Sequence, residues 1–290
     1  MNITNKNLFK IRLQAELLIK EQKIETLPID PIGIAQNLGI ELKSLPPTFG
    51  GASGMIFHYN GEFCIAYPSH INNKGYIKFS IAHEIGHYRL PGHIDAVLDD
   101  HGKHVSYAGF QSNCRFEREA DYFASVLLMP TRLFKASEKR AGFGLKAIKT
   151  LAENCDTSLE ATAIRYTETN NNPLAIIRSQ GQSIDYVYMS NSLKNFSDLE
   201  WLSKGTRLPI DSITSDFNMK KNQTGYLKED SGTTALQDWF NGPHQQVVTE
   251  EVIDLGGYGK TLTVLTDMQS PDEIEDEEQD LIESWTPRFK

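Results

Sequence analysis

Twelve residues, Lys78 to Arg89, restrict the architecture of this 290-residue chain more than any other stretch. They read Lys-Phe-Ser-Ile-Ala-His-Glu-Ile-Gly-His-Tyr-Arg and contain His83-Glu84-x-x-His87. Chance would produce that pattern in about one chain of this length in a hundred, so it carries information. On an α-helix, residues four apart lie nearly above one another, and His83 and His87 can direct two imidazoles at one metal ion. Glu84 is rotated about 100° from His83 around the axis, so it can flank the ion without binding it, the place of a general base for water at the ion. Ser80 is the expected N-cap and Pro91-Gly92 the expected end, giving a helix of roughly three turns. Gly86 inside that helix costs about 1 kcal/mol against Ala, which implies that something packs closely there.

Catalytic zinc takes three protein groups and leaves its fourth position to water, so a third ligand is needed downstream. Arg115 to Pro130 reads as a second helix, with Phe116, Ala120, Phe123, Ala124, Leu127 and Leu128 at three- and four-residue steps and Pro130 as the stop. Glu117 and Asp121, four apart, share one side of it. One carboxylate can bind the ion while the other accepts the spare ring N–H of a ligand histidine. Glu119 is about 200° from Glu117 around this helix and is expected to be an ordinary solvated charge.

Phe79-Ser80-Ile81-Ala82-His83-Glu84-Ile85-Gly86-His87-Tyr88, followed by Glu117-x-x-Ala120-Asp121-x-Phe123-Ala124-x-x-Leu127-Leu128-Met129-Pro130, resembles the ImmA/IrrE family of bacterial and phage metallopeptidases. The two motifs cover about fifty residues, and the resemblance extends more loosely from Leu27 to Arg178. It implies that His83, His87 and Glu117 hold Zn2+, with Mn2+ as an alternative, that Glu84 is the catalytic base, and that Asp121 orients a ligand from behind. Asn often stands in that family where this chain has Asp121. The resemblance further implies a substrate that is a helix-turn-helix (XRE-type) repressor or antitoxin, cleaved during stress, phage induction or toxin activation.

Composition sets the frame. Hydrophobic residues at 39% and aromatic residues at 10% suit a globular protein. The net charge is −9; residues 271–290 carry −6 of it and the remainder only −3, which argues against a nucleic-acid footprint. No apolar run is long enough to cross a bilayer. Lys6, Lys10, Arg12, Glu16, Lys20 and Glu21 interrupt the N-terminal apolar residues, which is unlike a signal peptide. Three cysteines, Cys64, Cys114 and Cys155, fit a reducing cytoplasm. Cys114, three residues before Glu117, could approach the metal, although buried packing is the commoner role of such a residue.

Along the chain, Leu8, Ile11, Ala15, Leu18 and Ile19 mark an amphipathic helix within residues 1–25, expected to pack on the neighbouring domain. Asp30-Pro31 opens a short helix to Leu38, and Ile40-Glu41-Leu42 begins a strand. Met55–Tyr59 and Glu62–Tyr67, joined by Asn60-Gly61, read as a hairpin that could cover the helix or hold extended substrate by backbone pairing. Residues 91–113 read as a long polar loop whose His93, His101, His104 or Tyr107 could polarise a carbonyl, each being individually expected to be solvated. Residues 145–168 read as two helices; only Arg165 is basic in the second, so a DNA reader is disfavoured.

Asn170-Asn171-Asn172-Pro173 is the expected boundary. Leu174–Arg178, Ser183–Met189, Gln246–Ile253 and Lys260–Thr266 read as strands of a smaller domain. Some members of the resembling family carry a GAF-like sensing domain at this place. The expectation is an α+β chain with three parts. Residues 1–172 form a zincin-like metallopeptidase domain, beginning with the helix of residues 1–25. Residues 173–270 form a mainly β, sensory domain, and residues 271–290 an acidic tail that Trp285–Phe289 could dock. The expected activity is that of a cytoplasmic zinc metalloendopeptidase acting on a protein, with no direct nucleic-acid or membrane partner. A different class competes with it: a metal-stabilised binding protein that sequesters a repressor without hydrolysis. A hydrolase of a small amide is a third reading.

Overall fold

The structure is a computed structural model and describes residues 5–46, 50–107, 114–224, 228–243, 246–256 and 259–269. It is α+β, as expected. In chain order the first elements are α1 (Asn5–Glu21), α2 (Pro31–Asn37), β1 (Glu41–Ser44), β2 (Ala52–Tyr59), β3 (Glu62–Tyr67), α3 (Lys74–Arg89), α4 (His93–Val97), β4 (Lys103–Tyr107), α5 (Arg115–Leu128), α6 (Thr131–Ala141), α7 (Gly144–Cys155) and α8 (Leu159–Thr169). There follow β5 (Ala175–Gln180), β6 (Ser183–Met189), α9 (Asn191–Lys194), α10 (Ile213–Thr224), β7 (Glu229–Ala235), α11 (Leu236–Phe240), β8 (Val247–Asp254) and β9 (Lys260–Thr266). The chain forms two compact units, Met1–Ala141 with Thr150–Thr162, and Gly142–Lys149 with Ala163–Lys290. The break at Asn170–Pro173 falls inside the second. The acidic tail lies outside the described residues.

In the first unit a four-stranded sheet has the order β1-β3-β2-β4, with β1 parallel to β3 and the other pairings antiparallel. The hairpin forms as its turn requires, because Asn60 at φ 52° and Gly61 at φ 86° both take the left-handed conformation that suits a two-residue connection. Both edges of β2 and both edges of β3 are already paired. The hairpin therefore has no free backbone for substrate, and among the described residues the open edges belong to β1 and β4. The polar connection after α3 is not structureless. Asp99 Oδ1 accepts the backbone N–H groups of His101 and Lys103, each at 2.9 Å, and turns the chain into β4.

α3 is central, and its residues from Ser80 to His87 are all buried. It starts nearly two turns earlier than the sequence indicated. Asn73, not Ser80, is the cap, its Oδ1 accepting from Tyr76 N at 3.0 Å. Ser80 lies within the helix and donates to the Tyr76 carbonyl at 2.9 Å, the i−4 bond open to a mid-helix serine. Gly86 is where α3 meets α5: a Cβ there would lie 3.1 Å from Phe123 Cδ1 and 3.3 Å from Ala120 Cα. Ile11, Ala15, Leu18 and Ile19 of α1 join Ile81, Ile85, Phe123 and Leu127 in one core. The N-terminal helix thus packs into its own unit rather than onto a neighbouring domain. Burying each of the Ile, Leu and Phe side chains contributes about 1.5–3 kcal/mol.

The second unit carries a five-stranded antiparallel sheet of order β6-β5-β9-β8-β7. Alternation along β5 and β9 places Ala175, Ile177 and Leu265 in a core with Trp239 and Phe240 of α11. The sequence found four of these strands. It missed β7, whose Glu-Asp-Ser-Gly-Thr-Thr-Ala run has little β-propensity. Arg165 is buried and pairs with Glu168 at 2.9 Å, so it is not presented to a nucleic acid.

Candidate metal centre

Close approach of α3 and α5 at Gly86 brings Glu117, one turn before Ala120, over the two histidines. His83 Nε2 and His87 Nε2 face each other at 3.1 Å. Glu117 Oε2 is 3.4 Å from the first and Glu117 Oε1 is 3.3 Å from the second. One ligand atom from each residue lies within 4.8 Å of the others, a spacing that one ion would bridge. Asp121, a turn further along α5, accepts from His83 Nδ1 at 2.9 Å and so turns His83 Nε2 toward Glu117.

The electrostatics follow from burial and these contacts. Burial works to lower the His83 pKa, but hydrogen bonds to Asp121 and Glu117 lift it to about 10. His87 is lowered to about 4, chiefly by burial, against the pull of Glu117. Burial opposes ionisation of Glu117, yet the His104, His83 and His87 imidazoles around it hold its carboxyl well below the usual range. Glu84 is 0% exposed, and neither of its carboxylate oxygens has a hydrogen-bond partner among the described residues. Burial raises its pKa, with His83 and the nearby Ser106 hydroxyl acting in the opposite direction. A buried, unpartnered carboxylate costs stability and calls for a ligand beside it. Two imidazoles, one carboxylate and this orphaned oxygen pair together fit a divalent ion with water at its open position.

Three side chains stand where the sequence did not put them. Glu119 is 5% exposed rather than solvated; it accepts from Arg115 Nε at 2.6 Å and faces His93 Nε2 at 3.1 Å. His93 is 1% exposed, delivered under His87 by a turn in which its N–H bonds the Leu90 carbonyl at 3.2 Å. Pro91 precedes Gly92, whose φ of 77° and ψ of 0° are those of the third residue of a type II turn. His104 on β4 reaches Glu117 Oε1 at 2.9 Å. The only sequence signal for these was the density of His and Asp after α3. Tyr107 and Cys114 are exposed, and Cys114 neither packs in a core nor joins the metal-ligand group.

A helix bearing His-Glu-x-x-His, apposed to a second helix that supplies a carboxylate and flanked by a mixed sheet, defines the class as an α+β peptidase-type domain with a candidate metal centre. Residues 35–167 match the family model described as the IrrE N-terminal-like domain, a peptidase family. The resemblance read from the two motifs is thereby borne out. Among solved structures, one described as a Mycobacterium tuberculosis transcriptional regulator is similar with a TM-score of 0.55 at 15% identity, covering 89% of this chain and 76% of that one. At that identity the likeness is one of fold. No curated protein matches the sequence. Among the described residues no helix is long and apolar enough to cross a membrane.

Proposed function

We propose that the protein is a zinc-dependent endopeptidase that cleaves a specific protein substrate. The observation that carries this reading is the convergence of His83, His87 and Glu117 beside a fully buried, unpartnered Glu84. His83 Nε2, His87 Nε2 and Glu117 would hold the ion; two nitrogens and one oxygen suit Zn2+, with Mn2+ second. When bound, such an ion polarises a carbonyl and makes water acidic enough to lose a proton near neutral pH. Glu84 would accept a proton from the attacking water and deliver it to the leaving nitrogen, a task favoured by its raised pKa. Asp121 keeps the His83 ring in register. His104 bonds Glu117 Oε1 and so helps hold that carboxylate in place. The open edge of β4 would pair with an extended segment of substrate, so cleavage would act on an unfolded or locally opened stretch of protein.

The substrate class follows from family resemblance: a helix-turn-helix repressor or antitoxin, in the cytoplasm, with residues 1–172 as the peptidase part and 173–270 as a sensory part. None of the three cysteines is in a disulfide, which is consistent with a reducing compartment. The test combines metal analysis by mass spectrometry with incubation of the protein and the repressor-like protein encoded beside it. About one zinc per chain is expected, lost in Glu117→Ala. Cleavage should be metal-dependent and fall about 10²–10⁴-fold in Glu84→Gln, which keeps its metal. A stoichiometric complex without cleavage, unchanged by Glu84→Gln, would replace this reading with sequestration. Protein purified without chelators and free of metal would remove its centre.

A further inference from the structure

Each ligand histidine has a second ring nitrogen, and the two are held differently. His83 Nδ1 meets a carboxylate directly, at Asp121. His87 lies one turn further along α3, and its Nδ1 faces another histidine, His93 Nδ1, at 3.3 Å. His93 Nε2 in turn lies 3.1 Å from Glu119 Oε2, and Glu119 Oε1 accepts from Arg115 Nε at 2.6 Å. His87, His93 and Glu119 are all buried. The His93 ring also meets Phe116 edge-on, with centroids 5.0 Å apart, which fixes its plane.

Proton bookkeeping gives this chain a direction. Glu119, paired with the Arg115 guanidinium, is a carboxylate and can only accept, so His93 Nε2 donates to it. A neutral imidazole has one N–H, which leaves His93 Nδ1 bare and able only to accept. The nitrogen facing it, His87 Nδ1, must then be the donor. A neutral His87 with its proton on Nδ1 has a bare Nε2, and Nε2 is the atom that faces His83 Nε2 and Glu117 Oε1.

We infer that His93 and Glu119 are positioning residues that fix His87 as the Nδ1–H tautomer and so prepare its Nε2 to ligate the metal. The inference rests on the metal-site reading proposed above and adds a second, independent orienting chain to the one through Asp121. Glu119 points about 200° away from Glu117 on α5 and reaches the centre only because the Leu90–His93 turn interposes an imidazole. His93 touches neither substrate nor ion in this arrangement; its effect passes through His87.

The test uses the full chain. In metal-free wild type carrying ¹⁵N-histidine, long-range proton–nitrogen correlation should show His87 protonated at Nδ1 and bare at Nε2. Chelator competition should show zinc affinity weakened about 10–100-fold in His93→Phe, which keeps the ring volume and loses both hydrogen bonds. His93→Asn, whose Oδ1 can accept in place of Nδ1, should recover most of that loss, which a purely structural role for His93 would not produce. His87 protonated on Nε2, or His93→Phe binding zinc as tightly as wild type, would overturn the inference. Wild type that shows the expected tautomer yet takes up no metal would instead overturn the ligand assignment and leave the orienting chain in place. Should His93→Phe not fold, the wild-type tautomer and the Asn variant still decide.

Discussion

Gly54 on β2 stands directly over Glu84: a methyl group at position 54 would lie 2.5 Å from Glu84 Oε1 and 3.2 Å from its Cδ. The strand has an irregular register between Ala52 and Gly54, which helps bring its backbone this close to α3. Gly54 has no left-handed φ, so alanine is acceptable to the backbone and only the carboxylate must move. Gly54→Ala should therefore leave fold and metal content intact and lower cleavage about 10²-fold, the cost of misplacing a reacting group by roughly an ångström. Circular dichroism, metal stoichiometry and cleavage rate measured together check this; an unchanged rate would place the proton-transferring group elsewhere.

Asp121 and His83 are joined by one hydrogen bond in which the carboxylate only has to accept. Asn keeps an acceptor oxygen there, and Leu does not. Asp121→Asn should hold zinc within a few-fold of wild type, whereas Asp121→Leu should weaken it about 10–100-fold. Equal affinities for both variants would show that His83 needs no orienting partner.

Metal uptake should release a proton. In the metal-free protein Asp121 and Glu117 hold the His83 pKa at about 10, against the opposing effect of burial, and a ligand imidazole must be bare on the binding nitrogen. At pH 7.5, ion binding should displace about one proton, and affinity should rise about tenfold per pH unit until pH nears 10. The same shift stabilises the metal-free fold fully below the ordinary His value of 6.5, and that stabilisation is lost as pH rises through 10. Calorimetry in buffers of different ionisation heat reads the proton count directly, and a count of zero would contradict a protonated His83.

The cysteines divide by burial. Cys64 is pushed up to about 11 and Cys155 to about 12, in both cases mainly by burial, whereas Cys114 is exposed at the start of α5. A thiol alkylating agent at pH 8 should label one site per native chain, at Cys114, and three after denaturation. Peptide mapping of the labelled protein checks this. Rapid native labelling of Cys155 would show that the unit holding it opens readily.

Several elements were legible because their causes are local. The hairpin needs only Asn60-Gly61 between two β-rich runs, and α2 needs only Asp30 to cap it and Pro31 to start it. The start of α3 was misread because Ser80 and Asn73 are both good caps by composition. What separates them is the close packing around Ser80, where a surface cap would have no water to face. Glu119 was misread for a related reason: helical angle tells which side of α5 it occupies, and not what folds onto that side.

The sequence by itself determined the spacings that a helix turns into geometry: His83 above His87, Glu117 above Asp121, and a glycine at position 86 where a second helix could come close. Those follow from the 3.6-residue period and need no distant contact. Only the tertiary structure decided which groups meet. It set Asp121 behind His83, His93 and Glu119 behind His87, Gly54 over Glu84, and β4 rather than the hairpin at the open edge of the sheet. These pairings join residues up to 38 positions apart, and they are fixed by how α3, α5 and the sheet exclude water from one shared core, a property of the packed chain rather than of any segment of it.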